Sequence, residues 1–129
     1  DRIVALRKNI TLTGMVFYGA ATWDFNRSHY DHEYAQRHGF SQPFVDGQML
    51  GAILAQMLVD WTGDPGSISK LGFRFRDFVY PGDVLTCGGC VTSKSSHGDQ
   101  NLIECELYVE NQDGTMVLYP GHATLRLPS

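Results

Sequence analysis

The stretch GQMLGAILAQMLVDW, residues 47–61, narrows the choice of fold more than any other part of this chain. Apolar or small residues occupy nearly every position instead of one stripe, so a helix formed here needs cover all round. It is too short to span a bilayer, which takes about 20 apolar residues, so the rest of the chain must supply the cover. Asp46 is a suitable N-cap, its carboxylate able to accept from the amides of Gln48 or Met49, and Gly63 with Pro65 stops the helix.

After the helix the hydrophobic period changes from helical to two. Leu71, Phe73 and Phe75 alternate with Gly72, Arg74 and Arg76. Val84 to Lys94 is rich in β-formers, and Ile103, Cys105, Leu107 and Val109 alternate with polar neighbours. NQDG reads as a hairpin turn into a last run from Val117 to Leu127. Pro120 inside that run predicts a bulge or a sheet edge. Ahead of the helix, Val4 to Met15 reads as a further strand, and Glu33 to His38 as a short helix stopped by Gly39. The expectation is an α+β chain, residues 1–129 as one domain: a four-strand antiparallel meander plus an earlier strand, curled around one buried helix. That is the hotdog arrangement.

Size and charge limit the function. At 129 residues the chain can bury about 68% of its unfolded surface in one core. A net charge of −4 leaves no basic footprint for nucleic acid. Arg74 and Arg76, beside Lys70, form a local cationic group that could meet a phosphate-bearing small molecule. No apolar run reaches spanning length and no secretory signal is visible. Three cysteines are an odd number and too few for a disulfide framework, so the expected location is the cytoplasm.

The chemistry concentrates in DFNRSHYDHEYAQRHGFSQPFVDGQML, residues 24–50, which carries three of the five histidines beside Asp24, Asp31 and Asp46. Asp24 and His29 are five positions apart in a stretch without helical pattern, so they converge only if a turn folds the loop back. Asn26 is a residue type that makes such turns. The first amides of a helix lack intrahelical acceptors and carry partial positive charge, so the free amide of Gly47 can face a developing oxyanion. A water held by Asp24 and His29, opposite a thioester oxygen on Gly47, would suit addition of water across a conjugated double bond.

The segment from Thr22 to Leu54 resembles the signature of MaoC-like (R)-specific enoyl-CoA hydratases, which runs S-G-D-x-N-P-x-H, an acidic helix, then G-F-x-x-P-I-x-H-G-M. The later FRFRDFVYPGDVL is similar to the strand and turn that follow, and the likeness covers about two-thirds of the chain. By position it implies Asp24 and His29 as the catalytic pair and Gly47 as the oxyanion amide. Asn26, Phe40, Pro43, Gln48, Met49, Arg74 and Arg76 become candidate substrate-binding residues. It also implies hydration of a trans-2-enoyl thioester to the (R)-3-hydroxyacyl product without metal or redox cofactor, coenzyme A arriving with the substrate. Homo-oligomers, or heteromers with a second hotdog subunit as in steroid side-chain hydratases, are the implied assemblies. Three positions depart from the pattern: Trp23 for glycine, Arg27 for proline and Asp46 for histidine. Trp23 is expected to reshape the pocket, and Asp46 to oppose negative charge unless its carboxylate turns onto the following amides.

Other motifs have plainer explanations. Cys87 and Cys90 have CxxC spacing, but residues three apart in a strand face opposite sides, which disfavours zinc. His32 and His38 fit a solvated helix surface, while His97 and His122 show no partner in sequence. No G-x-S-x-G or G-x-x-x-x-G-K is present. A thioesterase would want an acidic residue further along the long helix, where only Asp60, at its far end, is found.

Overall fold

The computed structural model describes residues 2–128. Strand β1 (Arg2–Asn9) is followed by helix α1 (Leu12–Thr22), a 3-10 turn (Arg27–His29) and the short helix α2 (His32–Arg37). Then come the long helix α3 (Gly47–Thr62) and strands β2 (Ile68–Phe75), β3 (Val84–His97), β4 (Gln100–Glu110) and β5 (Met116–Pro128). The strands form one antiparallel sheet in the order β1-β3-β4-β5-β2. Helix α3 touches both edge strands, β1 and β2, as well as β3, so the sheet wraps around it in the hotdog manner. Leu54, Met57 and Leu58 on the helix are fully buried against Leu85, Leu107 and Leu125 of the sheet.

Glycines set how closely helix and sheet approach. A Cβ at Gly51 would fall 2.6 Å from Phe73 Cζ, and one at Gly47 would fall 2.4 Å from Phe75 Cζ. The two phenyl rings of β2 therefore lie where helix side chains would otherwise stand.

Three details differ from the sequence reading, and one expectation is narrowed. Val4 to Met15 is not one strand: β1 ends at Asn9, and Thr11 caps a new helix by accepting from the Gly14 amide at 3.0 Å. Helix α1 buries only Met15 among its residues, so it leaves no amphipathic stripe to read. Only β3, β4 and β5 form a meander, because β2 crosses to the far side of β5. Of the two outcomes expected at Pro120, the bulge is the one found, in an interior strand, the pairing slipping between Leu107–Gly121 and Val109–Leu118. Finally, α3 is not covered all round: Gln48, Ala52, Gln56 and Asp60 form an exposed stripe at four-residue spacing.

Candidate active site

Asp24 sits just past the end of α1. Trp23 adopts the left-handed conformation (φ 57°) that closes the helix, and the Asp24 amide donates to Gly19 O at 2.9 Å. The loop then turns as its residue types dictate. Asp24 Oδ1 accepts from the Asn26 amide at 3.2 Å, and Asn26 Oδ1 accepts from the Ser28 amide at 3.0 Å. These two bonds start the 3-10 turn that carries His29 back toward Asp24.

Phe44 fixes the other side. Its amide donates to Ser28 O at 3.1 Å, and its carbonyl oxygen lies 2.8 Å from His29 Nδ1. A carbonyl only accepts, so Nδ1 carries the ring proton and Nε2 keeps its lone pair when the imidazole is neutral. The Val45 amide donates to Val79 O at 2.8 Å, seating the segment on the loop after β2. Asp46 then caps α3, its Oδ1 accepting from the Gln48 amide at 2.9 Å.

The result is a cluster in which Asp24, His29 and Asp46 each place one side-chain N or O within 4.8 Å of the others, all half-buried. Those donors are close enough to share a small ion or to hold a water. The two carboxyl groups bring an oxygen each within 4.8 Å of one another, close enough for each to shift the ionisation of the other. The Asp46 carboxyl and the Asn26 amide hold Asp24 below the usual carboxylate value. Burial, then the Asp24 contact, pushes Asp46 above it. Tyr18 on α1 is raised as well, by burial and by these two aspartates.

Two cavities meet this region. One, of about 340 Å³, is lined by Met15 and Gly19 of α1 together with Asp24, Phe25, His29 and Tyr30. The other, also about 340 Å³, is lined by Phe44, Gly47, Phe75, Arg76 and Phe78 among others, and its wall is mostly apolar. Phe44 joins them, because its ring packs edge-on to His29 (5.1 Å between centroids) and its side chain lines the second cavity. Gly47 is the first residue of α3, and its amide has no acceptor among the described residues.

Comparison with known proteins places the chain. A family model described as the MaoC like domain matches residues 3–112. The chain belongs to the MaoC-like domain family. No curated relative matches it significantly. Among solved structures, the (R)-hydratase from A. caviae involved in PHA biosynthesis superposes with a TM-score of 0.85 at 23% identity, over 99% of this chain and 95% of that one. The ChsH1-ChsH2 complex from Mycobacterium tuberculosis gives 0.82 at 26% identity, over 99% and 94%. The HadBC (3R-hydroxyacyl-ACP dehydratase) complex from the same organism gives 0.78 at 16% identity, over 95% and 90%.

Within this MaoC-like domain the candidate residues divide. Asp24 and His29 come together, and Gly47 follows Asp46 directly. Phe40 packs on Phe44 and Phe78, and Pro43 is buried beneath the loop. Asn26 spends its side-chain oxygen inside the turn and lines neither cavity. Gln48 is exposed on the open stripe of α3, and Met49 packs partly on the core. Arg76 lines the second cavity and donates from Nε to Tyr119 O at 2.6 Å, whereas Arg74 is exposed away from both.

One departure from the family pattern resolves differently from its expectation. The Trp23 side chain is 81% exposed and lines neither cavity, so it does not reshape the pocket. The space a glycine leaves at position 47 is filled by Phe75, while the Gly47 amide has no acceptor among the described residues. Arg27 binds Asp31 through Nη2 at 2.8 Å and lies over the Tyr34 ring, tying the turn to α2. The sequence reading missed the α1 wall of the first cavity, because it missed α1, and it missed Phe44, whose role depends on its backbone.

Proposed function

We propose that this chain is a hydro-lyase that adds water to a trans-2-enoyl thioester, giving the (R)-3-hydroxyacyl thioester, and runs the reverse dehydration. The observation that carries the proposal is the Asp24–His29 convergence, with Nε2 unprotonated, next to a helix-start amide. Water lies between the Asp24 carboxylate and His29 Nε2. The thioester oxygen takes the Gly47 amide, which meets the negative charge that gathers there as oxygen attacks C3. One member of the pair removes a proton from water while the hydroxyl bonds to C3, and a proton passes to C2, so the elements of one water are added. Both members reach the same water, so base and proton donor are assigned to the pair jointly.

Coenzyme A is the proposed carrier, with acyl carrier protein as the alternative; the (R)-hydratase of A. caviae and the 3R-hydroxyacyl-ACP dehydratase HadBC, both similar in fold, support chemistry of this kind. The apolar cavity beside Gly47 suits an acyl chain, and Arg76 in its wall supplies positive charge toward a phosphate. Three unpaired cysteines fit a reducing compartment such as the cytoplasm, and no helix among the described residues is long and apolar enough to cross a membrane. The test follows enoyl-thioester absorbance with short, medium, long and steroid acyl groups for the native protein, Asp24→Asn and His29→Gln. Unchanged turnover in both variants defeats the proposal.

A second reading has its own support. Two of the similar structures are complexes of named pairs, ChsH1-ChsH2 and HadBC. This chain would then be one subunit of a heteromer, contributing or only shaping the acyl site. An isolated chain that is inert but active after addition of a second hotdog subunit favours that reading. Release of free thiol instead of hydration would indicate a thioesterase.

A further inference from the structure

The site holds a carboxyl group that the hydration scheme does not use. Asp46 stands where the family pattern has histidine, and three elements bring groups to face it: Tyr18 from α1, Asp24 from the loop, and His29 from the 3-10 turn. On its own helix the Gln48 amide takes one of its oxygens at 2.9 Å. On the strand side, Arg76 and Asp77 line the cavity that begins at the neighbouring Gly47. Asp24 likewise has Oδ1 on a backbone amide, that of Asn26. Each carboxyl is thus pinned by main chain, and the two are left with oxygens within 4.8 Å of one another beside His29.

We propose that Asp46 is a protonated positioning residue, whose carboxyl donates to Asp24 and so keeps Asp24 ionised and aimed at the water shared with His29. The inference rests on the hydratase reading for its catalytic consequence, while the proton sharing rests on the closeness of the two half-buried carboxyl groups. Two acceptor-only carboxylates at this separation would repel. With one proton between them, Asp24 bears the charge and Asp46 serves as its donor. Burial favours the neutral form at Asp46, the more enclosed of the two, whereas Asp24 keeps an amide donor as well. A histidine at this position would bring a ring donor; the aspartate does the same work only while it keeps its proton. When alkali removes that proton, the pair gains a second charge and Asp24 loses its fixed aim.

The experiment combines carboxyl-carbon NMR titration with pH–rate profiles for the native protein, Asp46→Asn and Asp46→Ala. Asparagine keeps an oxygen for the Gln48 amide and offers Asp24 a permanent N–H donor; alanine removes both. The expected result is that Asp46 titrates above ordinary aspartates and Asp24 below them. The low Asp24 midpoint survives in Asp46→Asn and rises in Asp46→Ala. In turnover, Asp46→Ala loses kcat by on the order of 10²-fold with little change in KM. Asp46→Asn recovers much of that loss and no longer declines on the alkaline side. An Asp46 midpoint at the ordinary value, or an Asp24 midpoint that ignores both substitutions, overturns the proposal. Superimposable pH–rate profiles for native protein and Asp46→Asn overturn its catalytic part. A native protein that hydrates no enoyl thioester removes the hydratase reading, while the NMR result still decides whether the proton is shared. Should Asp46→Ala not fold, the Asp46→Asn comparison alone decides.

Discussion

His29 Nδ1 lies 2.8 Å from the carbonyl oxygen of Phe44, and this contact orients the one imidazole in the cluster. The carbonyl dictates which ring nitrogen is protonated, and the Phe44 ring, edge-on to the imidazole, limits its rotation. Nε2 is left free of that contact, in a ring that shares the cluster with Asp24 and Asp46. His29→Gln and Asp24→Asn are therefore expected to lower kcat by about 10²–10⁴-fold each while leaving the fold intact, since both side chains are only half-buried. The double variant should lose little more than the worse single one if the two act on one water as proposed. Steady-state rates with circular dichroism as the folding control check this; full additivity would mean separate roles.

The glycines of α3 make a second prediction. Gly51→Ala places a methyl against the partly buried Phe73 and is expected to cost about 1–3 kcal/mol, read from urea midpoints. Gly47→Ala meets Phe75, whose ring is 47% exposed and can swing aside. Its stability cost should be smaller, but the displaced ring lines the cavity proposed for the acyl chain, so KM should rise more than stability falls. Equal destabilisation by both substitutions would contradict the difference in exposure.

Much of this arrangement was legible in the sequence because it rests on local rules. Asp46 caps α3 as its residue type and position imply, and Asn26 builds the turn its side chain favours. The period-two runs gave four strands. What was not legible depended on tertiary contacts. Helix α1 hid because Val16 and Phe17 are exposed where an amphipathic pattern would want polar residues. The β2–β5 pairing is non-local and leaves no mark in either strand alone. The open stripe of α3 was readable after all: Gln48, Gln56 and Asp60 fall four or eight positions apart with only Ala52 between them, a polar line masked by the apolar majority.

The three cysteines should behave differently although all are thiols. Cys87 is buried and its thiol is pushed up to about 12, chiefly by burial; Cys105 is pushed up to about 11 for the same leading reason. Cys90 faces solvent from the opposite side of β3. With a thiol reagent at neutral pH, Cys90 should react promptly in the native protein, and all three only after denaturation. Fast reaction of two thiols in the folded state would contradict the strand register around Cys87.

The shared proton at Asp46 also has a consequence for stability that needs no substrate. The folded-state value of Asp46 lies above its unfolded value of 3.8, so its contribution is fully present below that pH and is lost as pH rises through the folded value. Asp24 runs the other way: its folded value is lowered, so its contribution is present above 3.8 and lost as pH falls. Asp46→Asn removes the first of these and keeps the second, because the asparagine amide still donates to Asp24 and its oxygen still caps α3. Urea midpoints for native protein and variant should therefore be similar near pH 4 and separate in favour of the variant toward about pH 8. The variant would be the more stable protein at neutral pH and the slower enzyme. A constant difference across the range would mean that Asp46 ionises alike in both states, and that no proton is held between the two aspartates.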